Sequence, residues 1–142
     1  MTNAAILPRI QASFDRQTMM QTFGATLQAA GDGVCVIRAP ILPGVRQQQG
    51  VAHGALPFGL GDSAAGYAAL TVLPDTSEVM TIEMKINYLA PALGEALEAH
   101  GTVLRAGRRI VVVRAEVFAI DSGNRRQVAE LLGTMIPVAR AE

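Results

Sequence analysis

The sequence predicts a single α+β domain in which a curled antiparallel β-sheet wraps around one long central α-helix, with an extra helix at the N-terminus. Three observations carry this expectation. Residues 54–73 form an apolar run rich in Ala and Gly, closed by Pro74, with one formal charge inside it, Asp62. Downstream, four segments are patterned as strands with turn residues between them. A helix that is apolar on every side cannot face water, so the sheet has to close over it.

Taken in order, residues 6–30 read as helical. Pro8 suits a first turn, and Ile10, Phe14, Met19, Met20, Phe23 and Leu27 recur near helical spacing. Gly31 and Gly33 are expected to stop this helix, so residues 1–32 read as a helical extension within one domain spanning 1–142. Residues 34–42 read as a strand closed by Pro43-Gly44, and residues 47–52 as a loop. The run at 54–73 is nearly long enough to span a membrane. Asp62 near its middle would cost roughly 2.5–3.5 kcal/mol there, and Gly and Ala offset little of it, so a buried helix is expected instead.

Beyond Pro74, Met80, Ile82, Met84, Ile86 and Tyr88 alternate with Thr81, Glu83, Lys85 and Asn87, a period of two. Pro91 and Gly94 mark a turn before a strand at 97–105. Ala106-Gly107-Arg108 turns into the Val-rich strand at 110–120, and Asp121-Ser122-Gly123-Asn124 turns toward the strand at 128–138. A four-stranded meander curled around the helix follows, which is the hotdog architecture.

Composition narrows the function classes. Half the residues are hydrophobic but only 4% are aromatic, so the core is built from Val, Leu, Ile, Ala and Met. Net charge is zero, which argues against a nucleic-acid partner. Cys35 is alone, so no intrachain disulfide forms, and a reducing compartment fits. No basic region followed by an apolar run opens the chain, so a cytoplasmic location is expected, with no membrane partner. Two His far apart without an acidic cluster fall short of a metal site, and no cofactor is expected.

Between Arg46 and Asp75 the only formal charge is Asp62, and no cation lies nearby in sequence to pair with it. Burying that carboxylate without a partner is costly, so hydrogen bonds, water access or function must compensate. At the other end of the same helix, the first-turn amides around His53-Gly54-Ala55 lack intrahelical acceptors and suit a carbonyl oxygen that gains negative charge. His53 reads either as a capping residue or as a substrate contact. Ala55 and Asp62 are seven residues apart, about 10 Å along a helix. One carbonyl does not easily reach both, which points to two copies sharing a site, one giving the amides and the other the Asp.

The segment His53-Gly54-Ala55, followed by Asp62-Ser63-Ala64-Ala65-Gly66-Tyr67-Ala68-Ala69, resembles the phenylacetate-type branch of the hotdog acyl-CoA thioesterases. Met84-Lys85-Ile86-Asn87-Tyr88-Leu89-Ala90-Pro91 and Arg105-Ala106-Gly107-Arg108 resemble the same branch, and the likeness runs from about residue 44 to 138. It implies that Asp62 activates water or attacks the thioester of an acyl-CoA, and that the Ala55 amide, beside Gly54, polarises the carbonyl; the small-residue helix admits either an aryl or a medium-chain acyl group. It implies that Thr81 positions the water or the carboxylate. It further implies a homodimer or dimer of dimers with shared sites. Two positions depart from the pattern: Ala55 stands where the branch has a second Gly, and Gln47 where it has Asn, with Gln48 or Gln49 as alternatives for that role.

Several Arg residues fall at the meander's turns. Arg108 and Arg109 read either as grips for CoA phosphates or as a solvated rim. Ser63 is a candidate substrate contact but forms no triad with Asp62, since helix neighbours point apart. Two rival functions stay open: a hotdog acyl-thioester hydratase or dehydratase with His53 as base, and a non-catalytic acyl-CoA-binding module.

Overall fold

The computed structural model describes residues 4–141. Its elements, in order, are α1 (Pro8–Arg16), α2 (Thr18–Thr22), β1 (Thr26–Gly31), β2 (Val34–Pro40), a single 3₁₀ turn (Pro43–Val45), α3 (Ala55–Leu70), β3 (Ser77–Tyr88), β4 (Ala96–Ala106), β5 (Val111–Asp121) and β6 (Asn124–Ala139). All six strands form one antiparallel sheet in the order β1-β2-β4-β5-β6-β3. The sheet curls around α3, as the hotdog expectation required. Among the described residues no helix is long and apolar enough to cross a membrane.

The central helix is covered on nearly every side: eleven of the 16 residues of α3 are buried. The sheet supplies most of that cover from alternating positions. Along β5, Val111, Val113, Ala115, Val117 and Ala119 point inward and are buried, while Val112, Arg114, Glu116, Phe118 and Ile120 lie on the outer face. The N-terminal helices cover another part of α3, with Phe23 and Met19 packed against Gly59.

Two expectations need correction. Residues 6–30 are not one helix but two short helices and a strand. Gly24 adopts a left-handed φ of 66°, Gly24 N donates to Gln21 O, and Ala25 N donates to Met20 O. That pair of bonds is a Schellman stop, which ends α2 whatever apolar spacing continues beyond it. Leu27 is buried from a strand instead. Asp32 and Gly33, both with positive φ, then form a two-residue hairpin turn into β2, with Gly31 paired to Val34.

The second correction concerns strand order. β4, β5 and β6 form a meander, but among the described residues β3 pairs only with β6, so two strands separate it from its chain neighbour β4. The link at residues 89–95 is too long for a tight hairpin and carries the chain across the sheet's end. Leu89 N donates to Val128 O and Glu95 N to Ile120 O along that path.

Helix and sheet approach closely at Gly101 of β4. A Cβ there would fall 2.3 Å from the carbonyl carbon and oxygen of Ala64. Gly101→Ala is therefore expected to destabilise the fold by about 1–3 kcal/mol or more. Gly44→Ala, with nothing within 4 Å of the added methyl, should change it little. Urea unfolding midpoints of the two variants check this.

Candidate active site

Asp62 lies two turns into α3 and is half-buried. Thr81 of β3 donates from Oγ1 to Asp62 Oδ1 at 2.8 Å. The same Oγ1 lies 3.2 Å from Met135 Sδ, but one hydroxyl proton serves one strong bond, and a carboxylate is the better acceptor. Thr81 adjoins a register shift between Thr81 and Glu83, an irregularity of the kind that re-aims side chains near sites. Among the described residues no ion pair includes Asp62. Its carboxylate borders a cavity of about 270 Å³ between α3, β3 and the N-terminal helices.

The far wall of that cavity is polar. Ser63 Oγ donates to Gln17 Oε1 at 3.1 Å, and Gln17 Nε2 donates to the Tyr67 hydroxyl at 3.0 Å. Ser13 Oγ lies 3.2 Å from the same hydroxyl. Burial pushes the Tyr67 phenol above its ordinary pKa. Gln17 is the residue at which α1 gives way to α2, and its extended backbone interrupts the helical run.

The start of α3 is a second, separate centre. Ala55 N donates to His53 Nδ1 at 2.9 Å, so the His53 ring caps the amide expected to be open to a substrate carbonyl. Leu56 N donates to His53 O at 2.9 Å, Pro57 has no amide hydrogen, and the Tyr88 hydroxyl donates to Gly54 O at 2.9 Å. Gly54, Pro57, Tyr88 and Gln47 help to line a cavity of about 660 Å³. Among the described residues none lines both cavities. Because α3 runs unbroken from Ala55 past Asp62, the two centres lie about 10 Å apart along its axis.

The structure thus brings together Asp62, Ser63 and Thr81 at one centre, and His53, Gly54, Ala55 and Gln47 at the other. Gln47 Oε1 accepts from Gln49 N, closing a local turn, whereas Gln48 is exposed and lines neither cavity. Arg108 and Arg109 are exposed in the β4–β5 turn and also line neither. Arg125 is engaged elsewhere, 3.8 Å over the Phe118 ring and bonded to His100. Among the described residues, no group of three or more His, Cys, Asp or Glu is placed to hold a metal ion.

Sequence reasoning missed Ser13, Gln17, Tyr67 and Tyr88 as site residues. Tyr88 stood at the end of an alternating strand and inside a segment resembling the branch, with no role attached to it. The break at Gln17 carries no Gly or Pro to signal it.

The sequence profile of the Thioesterase superfamily matches residues 49–124, a span that includes His53, Gly54, Ala55, Asp62, Ser63 and Thr81. Among solved structures, a thioesterase family protein of Silicibacter pomeroyi is 31% identical over 93% of this chain and 97% of its own, with a TM-score of 0.90. A Bacillus halodurans protein crystallised with CoA is 26% identical over 92% and 86%, with a TM-score of 0.77. The PaaI protein of the E. coli phenylacetic acid degradation operon shares the fold at a TM-score of 0.80, over 90% and 89%, with 19% identity.

Gln17→Leu would leave Ser63 and Tyr67 each short of one partner. The variant is expected to lose about 1–3 kcal/mol of stability, read as a lower urea midpoint at unchanged slope.

Proposed function

Because the chain belongs to the Thioesterase superfamily, we propose that it hydrolyses an acyl-CoA to the free acid and CoA, with Asp62 as the reacting carboxylate. The observation that carries this reading is the carboxylate itself. It is half-buried on an apolar helix, in no ion pair among the described residues, held at one oxygen by Thr81 and bordering a cavity. Such a group is poised for chemistry rather than for structural pairing.

Thr81 occupies Oδ1, which leaves Oδ2 to take a proton from water or to attack the thioester carbon directly. In the first route the hydroxide adds to the carbonyl, the resulting oxyanion collapses, and the C–S bond breaks to release CoA thiolate. In the second, the acyl group passes to the carboxylate as an anhydride, which water then hydrolyses. Both routes place negative charge on the carbonyl oxygen, and the Ala55 N–H is the donor proposed to hold it. His53 must then swing off that amide as the substrate arrives.

The two centres meet if two copies pair along β3. That strand ends the sheet and offers an unpaired backbone edge, flanked by exposed Met80 and Ile82. Thr81, against Asp62, lies toward the beginning of β3, and Tyr88, against Gly54, is its last residue. Antiparallel pairing of β3 with its copy brings the Asp62 end of one chain beside the helix start of the other. A homodimer, or a dimer of dimers, with sites across the interface follows.

For the substrate, the CoA found with the similar Bacillus halodurans protein supports a CoA thioester. Arg108 and Arg109 are then phosphate contacts reaching the CoA from outside the cavities. A compact cavity with a hydrogen-bonding wall favours an aryl acyl group over a longer aliphatic one.

Release of free CoA thiol from aryl-, short- and medium-chain acyl-CoAs tests the proposal. Asp62→Asn should lower kcat by about 10²–10⁴-fold, Thr81→Val by less, and His53→Ala should retain turnover. No thiol release by the wild-type protein from any of these substrates would sink it.

A further inference from the structure

We propose that the Tyr88 hydroxyl is the positioning group of the oxyanion site, fixing and polarising the Gly54–Ala55 peptide, a role that rests on reading Ala55 as the oxyanion donor. In a trans peptide the Gly54 carbonyl and the Ala55 N–H share one plane and point in opposite directions. A donor on the oxygen therefore sets the direction of the N–H. It also draws density from the amide and makes that N–H a stronger donor.

Both ends of this peptide are engaged. The Tyr88 hydroxyl donates to Gly54 O at 2.9 Å, and Ala55 N donates to His53 Nδ1 at 2.9 Å. Gly54 O already accepts the ordinary helical bond from Phe58 N at 3.2 Å, so Tyr88 adds a second donor from outside the helix. Within a single chain the side chain is not driven there by burial, since Tyr88 is 55% exposed. Water could serve its hydroxyl, yet the hydroxyl is turned onto a backbone carbonyl.

Gly54 is what admits it. A Cβ at that position would stand 2.9 Å from the Tyr88 oxygen and 3.1 Å from Cζ. His53 completes the arrangement. Its exposed ring puts an acceptor where a thioester oxygen would sit and keeps the amide aimed until substrate displaces it.

The test is Tyr88→Phe in the whole 142-residue chain, assayed for thiol release from an aryl-CoA, with the Ala55 amide ¹⁵N shift read by NMR. The expected result is a fall in kcat of about 10- to 100-fold with KM nearly unchanged, and a displaced Ala55 ¹⁵N signal with little loss of thermal stability. Gly54→Ala should give a similar fall, and combining it with Tyr88→Phe should cost no more than the larger single change, because both act on one contact. Wild-type kcat in an active Tyr88→Phe protein, an unmoved Ala55 signal, or fully additive losses in the double variant would each overturn the inference. A wild-type protein that releases no thiol would overturn the functional reading instead, and the Ala55 signal would still decide whether Tyr88 holds the peptide.

Discussion

The backbones of α3 and β4 approach so closely at Ala64 and Gly101 that side chains are excluded between them, and this contact organises the molecule. Gly61, Ala64, Ala65 and Ala68 make a helix face thin enough for the sheet to close over, and all four are buried. A sheet wrapped that tightly cannot cover the helix evenly. On the β4 side the fit is close, while on the β3 side a cavity is left, and Asp62 stands at its border. A carboxylate on the tight side would have no room for a hydrogen-bond partner or for water, and its desolvation would go uncompensated. On the β3 side it has Thr81 and open space.

The same constraint separates the chemistry into two halves. α3 is continuous, so its amide-bearing start and its carboxylate face different cavities on one chain. β3 is the element common to both. Thr81 meets Asp62 and Tyr88 meets Gly54, seven residues apart on a strand whose outer edge is unpaired. A strand in this position serves as a ruler: any antiparallel pairing with its copy exchanges the two ends. In the proposed assembly the active site is therefore a consequence of sheet topology, and a β3 placed inside the meander would not have produced it.

Much of this could be read from the residues alone. The extent of α3 follows from an apolar run between Gly54 and Pro74, and β2 and the four strands after α3 from strand patterning and turn residues, because these signals are local. Asp62 stood out as the single charge in a long neutral stretch. What stayed hidden depends on contacts distant in sequence. β1 was absorbed into the helical reading because Leu27 continues an apolar spacing that Gly24 had already ended. The position of β3 beside β6 has no local signature at all. Gln17 and Tyr67, 50 residues apart, meet only after α1 and α2 fold across α3.

The proposition that each site takes its carboxylate from one chain and its amide from another can be tested by subunit mixing. Asp62→Asn removes the carboxylate, and Ala55→Pro removes the amide hydrogen at the first helix position, where no intrahelical bond depends on it. Each variant alone should be inactive. Unfolding and refolding them together in equal amounts should restore about a quarter of wild-type thiol release, since half the dimers are hybrids and each hybrid holds one intact site. If the mixture forms hybrid dimers yet remains as inactive as its parents, both groups act within one chain, and the shared site is contradicted.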